Sequence, residues 1–172
     1  LAASGLQPTG FKMGEDLLFN MKLFPNLKKY SIIDYRGYNY RLGGLTSRYN
    51  PTLWEDLKRQ YCIKRDFAHQ YNYSKAYRPL NIELKNIFIS SLCQRIIYLK
   101  ESKDELSRWI INELNDSTLW ADICEMSKKE KDVIYSYIAN RDIDALIDEA
   151  QMKIHASRWR RRAKKILSLL FR

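Results

Sequence analysis

The chain has 172 residues, of which 45% are hydrophobic and 29% are charged, with only 4 Pro and 6 Gly, so it can fill the core of one domain and is not a disordered tail. Its 30 Lys and Arg exceed its 20 Asp and Glu, and the net charge of +10 favours acidic partners. No stretch approaches the ~20 consecutive apolar residues of a membrane span, which excludes that class of protein.

Residues 1–49 are predicted to form an extended basic and aromatic arm, because helix signals are sparse there. A short helix is expected over 15–24, and the following Tyr-rich segment permits either a hairpin about Arg36 and Gly37 or an extended arm. The same composition also suits an extension that embraces neighbouring proteins in a large assembly. Aromatic and basic side chains stack on RNA bases and contact phosphates, so we predict RNA-binding roles for Tyr35, Arg36, Tyr38, Tyr40 and Arg41.

Residues 50–156 are predicted to be a helical body, since caps and apolar periodicity agree along them. Asn50 and Pro51 suit the N-cap and first position of a helix that runs to about residue 71. A second helix over 81–99 is apolar around most of its circumference, and we expect it to be the central buried helix.

Two capping boxes predict later helix starts, because a serine and a glutamate three residues apart satisfy each other's backbone donors. One box pairs Ser102 with Glu105. The other pairs Ser127 with Glu130 and is predicted to open a further helix. A short helix over 117–125 is expected between them.

The last helix is predicted to begin after Asp142 and to continue to the C-terminus, because no Gly or Pro occurs beyond Pro79. The fold class that follows is mainly α. We expect a small irregular body of about five to six helices, an extended N-terminal arm and a basic C-terminal helix over residues 157–172.

Charge alternates strongly along the chain. Residues 1–100 carry a net charge of +9, residues 101–150 a net charge of −7, and residues 151–172 a net charge of +8. Such asymmetry between segments indicates separate contact surfaces.

Six cations crowd two turns of the basic C-terminal helix, where like charges at i,i+3 and i,i+4 repel each other. Phosphates alongside would remove that penalty, arginine offers them a bidentate fork, and tryptophan can stack on an exposed base. We therefore predict RNA-binding roles for Arg158, Trp159, Arg160, Arg161, Arg162, Lys164 and Lys165. Two other partners stay open for this helix. They are an acidic protein surface, including residues 101–150, and an anionic membrane that would take the apolar residues at its end.

The residues needed for catalysis or metal binding are not assembled in the sequence. His69 and His155 stand apart from any motif, and Cys62, Cys93 and Cys124 lack metal-ligand spacing. The odd number of cysteines argues against a closed disulfide framework and favours free thiols in a reducing compartment. We predict that the protein is not an enzyme and that it takes no metal, cofactor or small-molecule substrate.

These features favour a non-catalytic structural subunit of a large organellar assembly, most concretely an RNA-contacting mitochondrial ribosomal protein. Its expected partners are RNA, in the first place ribosomal RNA, and neighbouring subunits of the complex. The basic composition and the missing initiator Met favour a mitochondrial location on the matrix side. The alternative is a peripheral accessory subunit of a respiratory or other mitochondrial membrane complex, docked through the basic and apolar C-terminal helix.

Overall fold

The computed structural model describes residues 15–23, 25, 27–29, 31, 49–128 and 130–170, with side chains in the last helix as far as Trp159. Helix is the main secondary structure, and these residues contain no strand. The predicted mainly α fold class is confirmed. The α-helices are α1 (Glu15–Leu23), α2 (Leu53–Gln70), α3 (Tyr77–Gln94), α4 (Lys103–Leu114), α5 (Ser117–Met126), α6 (Val133–Asn140) and α7 (Ile143–Leu170).

The chain divides into two compact units, Leu1–Lys64 and Arg65–Arg172, with the boundary inside α2. In the first unit, Leu18 of α1 and both Trp54 and Tyr61 of α2 are buried. The predicted short helix over 15–24 is thus present as α1. The hairpin expected about Arg36 and Gly37 lies outside the described residues, and the division at residue 49 stays a prediction.

The start of α2 shows how a polar side chain organises a helix end. The Asn50 carboxamide oxygen accepts hydrogen bonds from the Thr52 backbone amide at 3.1 Å and the Thr52 hydroxyl at 3.0 Å. The Asn50 side chain thus holds the turn before α2. Regular helix begins at Leu53, so Pro51 lies in that turn and not at the predicted first position of the helix.

Helix α3 is the central helix of the second unit. Its residues Leu84, Phe88 and Leu92 are fully buried, and the helix packs against both α5 and α7. The Phe88 ring stacks on Trp109 of α4 at 5.4 Å and meets the edge of Trp120 of α5 at 5.1 Å. The prediction of a central buried helix in this part of the chain is confirmed.

The bounds of α3 differ from the predicted ones at both ends. The helix begins at Tyr77 with Pro79 in its first turn, where the missing proline N–H leaves no intrahelical hydrogen bond unmade. Regular α-helix ends at Gln94, and Arg95–Leu99 form a π-helical turn before Lys100 adopts a left-handed conformation with φ 55°. The end of the predicted helix is therefore π-helical.

The capping box at the start of α4 is confirmed. The Glu105 backbone amide donates to the Ser102 hydroxyl at 3.3 Å, and the Ser102 amide donates to the Glu105 carboxylate at 2.8 Å. The hydrogen bonds from the backbone and hydroxyl of Ser102 lower the pKa of Glu105. The short helix predicted over 117–125 is present as α5.

The second predicted capping box is wrong. The Ser127 hydroxyl donates instead to the Cys124 carbonyl oxygen at 2.7 Å, at the end of α5. Helix α6 is capped by Asp132, whose carboxylate accepts from the Ile134 amide at 3.1 Å and from the Lys85 ammonium. The Asp132 carboxylate accepts hydrogen bonds from the Ile134 amide of α6 and from the buried Lys85. Because Asp132 is the N-cap, the helix starts five residues later than the box predicted.

Helix α7 begins after Asp142, as predicted. The Asp142 carboxylate accepts a hydrogen bond from the Ala145 amide at 3.1 Å, one residue after Arg141 ends α6 with φ 53°. The helix has 28 residues, which corresponds to a length of about 42 Å. It is continuous across the predicted boundary between residues 156 and 157.

Candidate nucleic-acid interface

The first half of α7 is attached to the rest of the second unit by one apolar face. Leu146, Ile147, Ala150 and Ile154 are buried, and their spacing places them on the same side of the helix. On this side α7 packs against α3, α4 and α6. Among the described residues of the helix, Ile154 is the last buried one.

Beyond Ile154 the helix carries only exposed side chains as far as they are described. His155 through Trp159 are all exposed, and Trp159 has 73% of its surface accessible. Arg158 is exposed, and no described residue forms an ion pair with it. The structure therefore places the first two predicted RNA-binding residues of this helix in contact with solvent.

The other predicted RNA-binding residues of α7 lie on its helical backbone, and their side chains are outside the described part. They are Arg160, Arg161, Arg162, Lys164 and Lys165. All seven predicted residues of this segment are thus carried by one uninterrupted helix. The predicted RNA-binding residues of the arm lie outside the described residues. They are Tyr35, Arg36, Tyr38, Tyr40 and Arg41.

The acidic block of residues 101–150 is engaged with cations of the same unit. Glu130 forms an ion pair with Arg78 at 2.7 Å, and the hydrogen bond from Arg78 lowers the pKa of Glu130. Glu101 pairs with Arg95 at 2.6 Å. Further pairs join Lys85 to Asp132, Lys103 to Asp144, Lys128 to Glu125 and Lys153 to Glu149. Many carboxylates of this block therefore already have a cationic neighbour.

One of these pairs is largely buried. Lys85 is 7% exposed, and its ammonium nitrogen lies 4.8 Å from the centre of the Tyr135 ring. Partial burial acts to raise the pKa of Asp132, but the hydrogen bonds from Lys85 and the Ile134 amide, with the charge of Lys85, lower it overall. Burial also raises the pKa of Tyr135. These groups link the start of α6 to Lys85 of α3.

Among the pockets formed by described residues of the second unit, two are well defined and contain none of the predicted RNA-binding residues. The first, of about 340 Å³, is lined by residues of the α2 end, α3, α5 and the following loop. In it the Tyr77 hydroxyl lies 2.9 Å from His69 Nδ1, within hydrogen-bonding distance. The second, of about 330 Å³, lies between α3 and α7 and includes Cys93, whose pKa is raised by burial.

The cysteines of the described residues lie apart from one another. Cys62, Cys93 and Cys124 lie on separate helices and form no disulfide bond with one another. No three His, Cys, Asp or Glu side chains among the described residues are grouped so that they could hold a metal ion. Every described helix is too short or too polar to cross a lipid bilayer.

The structure reveals a feature of α7 that the sequence reasoning missed. A second apolar face begins at Met152, which is 60% exposed, and continues through Trp159 on the side away from α3. Its residues follow one another at steps of four and three, a periodicity that could have been found in the sequence. We call this face the Trp159 stripe. Its described side chains are those of Met152, Ala156 and Trp159, and by helical spacing the backbone positions of Ala163, Ile166 and Leu170 continue the same line.

Comparisons of the chain with protein-family models, with curated proteins and with solved structures give no match.

Proposed function

We propose that this chain is a non-catalytic structural subunit of a large assembly that contacts RNA through the second half of α7. The most concrete form of this assembly is a mitochondrial ribosome, with the chain on the matrix side. The observation that carries the proposal is the departure of α7 from its packed neighbours just before its cation cluster. Ile154 is buried, whereas Arg158 and Trp159 are exposed.

The chemistry of this segment suits a polyanion. Six cations occur between residues 158 and 165, and no acidic residue follows Glu149. At 100° per residue these cations cover roughly 200° of the helix circumference. A phosphate backbone alongside such an arc neutralises several charges at once, and the released counterions favour binding.

The ion pairs of the acidic block support RNA over an internal partner for this helix. Carboxylates such as Glu101, Glu130 and Asp144 are held by Arg95, Arg78 and Lys103 at 2.6–2.7 Å. Recruiting them to the cations of α7 would break those pairs. RNA supplies phosphates without that loss, and unpaired bases would offer Trp159 a stacking surface.

The test is the salt dependence of RNA affinity. Changing Arg160, Arg161, Arg162 and Lys164 to Gln is expected to reduce the slope of log affinity against log salt by about three to four, if each makes one phosphate contact. The matched control changes four exposed cations outside α7 by the same charge. They are Lys75, Lys100, Lys131 and Arg141.

We expect the control to change the slope by less than about one, because general attraction is weaker than direct contact. An unaltered slope in the α7 variant, or equal losses in both variants, contradicts the proposal. Trp159→Ala should weaken binding to single-stranded RNA by about 1–3 kcal/mol at a nearly constant slope, and Trp159→Phe should retain most of the affinity.

A further inference from the structure

The two apolar faces of α7 point in different directions. Trp159 follows the buried Ala150 by nine residues, or two and a half turns, so the two side chains lie on opposite sides of the helix. The side of Ala150 packs against α3, α4 and α6. The side of Trp159 therefore faces away from those helices, and an extended surface can approach it without meeting them.

By helical spacing the Trp159 stripe follows one side of α7 from Met152 to Leu170. Met152 and Trp159 are 60% and 73% exposed, and Ala156 between them is also exposed. By helical spacing, Ala163, Ile166 and Leu170 continue along the same side. The stripe contains no charged residue over this distance.

The charges along α7 indicate which part of the stripe can contact an anionic surface. Asp148 and Glu149 flank the helix side just before Met152 and oppose contact with an anionic surface there. Beyond Met152 the charged residues of the helix are all cations, and Arg160 and Arg162 adjoin the stripe on its two sides by helical spacing. An apolar stripe bordered by arginines on a helix with a tryptophan is typical of helices that lie in a membrane interface.

We propose that the second half of α7 binds the surface of an anionic lipid bilayer, with the Trp159 stripe at the boundary between headgroups and acyl chains. Charge decides between this occupant and a second copy of the chain. Pairing two stripes would bring two sets of bordering arginines together, whereas anionic headgroups neutralise them. Each cation near such a surface strengthens binding by about fivefold.

This inference rests on the apolar stripe and does not depend on the proposed RNA contact. By helical spacing Arg161 and Lys165 lie on the side opposite the stripe. Trp159 belongs to the stripe, so it can serve only one of the two partners at a time. Changing Arg161 and Lys165 to Gln therefore tests the RNA contact alone, and changing Ile166 or Leu170 to Gln tests the lipid contact alone.

The experiment uses the intact chain and vesicles of phosphatidylcholine with about one quarter phosphatidylglycerol. Trp159 is a built-in reporter, because Trp54 and Trp120 are only 6% and 3% exposed and Trp109 is half-buried, while Trp159 is 73% exposed. We expect its emission to shift to shorter wavelength on binding and its quenching by acrylamide to fall. Both changes should be absent in Trp159→Phe, although that variant should still co-sediment with vesicles.

Variants of the stripe test its role directly. Ile166→Gln and Leu170→Gln are each expected to weaken vesicle partitioning by about tenfold, while the RNA salt slope stays unchanged. Ser168→Gln introduces the same side chain on the opposite side and should leave partitioning within about twofold. Circular dichroism melting curves of all three should match the original protein, since Ile154 is the last buried residue described on α7.

Three outcomes would overturn the inference. Binding to pure phosphatidylcholine vesicles as strong as to the phosphatidylglycerol mixture would show that the cations do not contribute. Binding unaffected by Ile166→Gln and Leu170→Gln would reduce the contact to electrostatic adsorption. Stripe-dependent dimerisation in sedimentation equilibrium without vesicle binding would assign the stripe to a second copy. If the original chain binds RNA with the expected salt slope but does not bind vesicles, only the lipid contact is refuted. If it binds vesicles but shows no such slope with RNA, only the RNA contact is refuted.

Discussion

Lys85 illustrates how one charged side chain is accommodated among apolar helices. Its ammonium group lies near the Tyr135 ring and pairs with Asp132, which is also the N-cap of α6. Desolvation of a lysine opposes folding unless a carboxylate compensates it. Asp132 therefore stabilises both a helix end and a buried charge.

Removing the Asp132 carboxylate alone should destabilise the protein more than removing both Asp132 and Lys85. Asp132→Ala is expected to lower the free energy of unfolding by about 3 kcal/mol, because it leaves Lys85 without its partner and α6 without its cap. Adding Lys85→Met should recover at least about 1 kcal/mol. Urea denaturation measures both, with Asp122→Ala, at an exposed aspartate, as a control that changes less than about 0.5 kcal/mol. Equal stability of the single and double variants contradicts this account.

The same pair gives stability a pH dependence. The pKa of folded Asp132 lies below its ordinary value of 3.8, so its contribution is complete above that value and is lost as pH falls through the folded pKa. We therefore expect the unfolding free energy of Asp132→Ala to fall less between about pH 5 and about pH 2 than that of the original protein. Parallel curves for the two proteins would show that Asp132 does not carry this dependence.

Helix starts show where sequence patterns suffice and where they do not. The Ser102 box was predictable, because both partners lie within four residues and need no tertiary contact. The identical pattern at Ser127 is overridden, since Asp132 is also drawn to Lys85, 47 residues away along the chain. A long-range ion pair of this kind leaves no local signal in the sequence.

The two serines therefore offer a matched pair of substitutions. Ser102→Ala should destabilise the protein by about 1 kcal/mol, because the Glu105 amide loses its acceptor. Ser127→Ala should change stability by less than about 0.5 kcal/mol, since the hydroxyl serves only the Cys124 carbonyl oxygen at a helix end. Thermal or urea unfolding distinguishes them, and a larger loss at Ser127 would restore the predicted box.

Helix ends were harder to predict than helix starts, because the residue types at these ends are not the usual ones. Glycine commonly marks a helix end, but the last of the 6 glycines is Gly44. Here Asn72, Lys100 and Arg141 take the left-handed conformation instead, with φ of 50–55°. Lysine and arginine are not typical of that conformation, so the π-helical turn before Lys100 could not be predicted from residue types alone.

For the whole molecule, the helical body and the cation cluster were predictable because each depends on composition and periodicity. The Trp159 stripe was not recognised, because its meaning depends on which side of α7 is docked. Only the burial of residues such as Ala150 shows that Met152 and Trp159 face away from the packed helices. The arm residues, from Tyr35 to Arg41, remain a prediction.

The end of the described burial on α7 at Ile154 predicts the effect of a truncation beyond it. Deleting residues 160–172 removes six cations and lowers the net charge from +10 to +4, yet the described buried residues of α7 end at Ile154. We expect the melting temperature to change by no more than about 2 °C, since none of the described buried residues is deleted. RNA affinity at low salt and partitioning onto anionic vesicles should both fall by at least about a hundredfold, because at about fivefold per cation the loss of charge alone exceeds that factor.

The control truncation, which deletes residues 150–172, also removes Ile154 and should unfold cooperatively at a clearly lower temperature. A large loss of stability in the shorter deletion would mean that the second half of α7 packs on the chain itself, and it would then be unsuited to bind either partner.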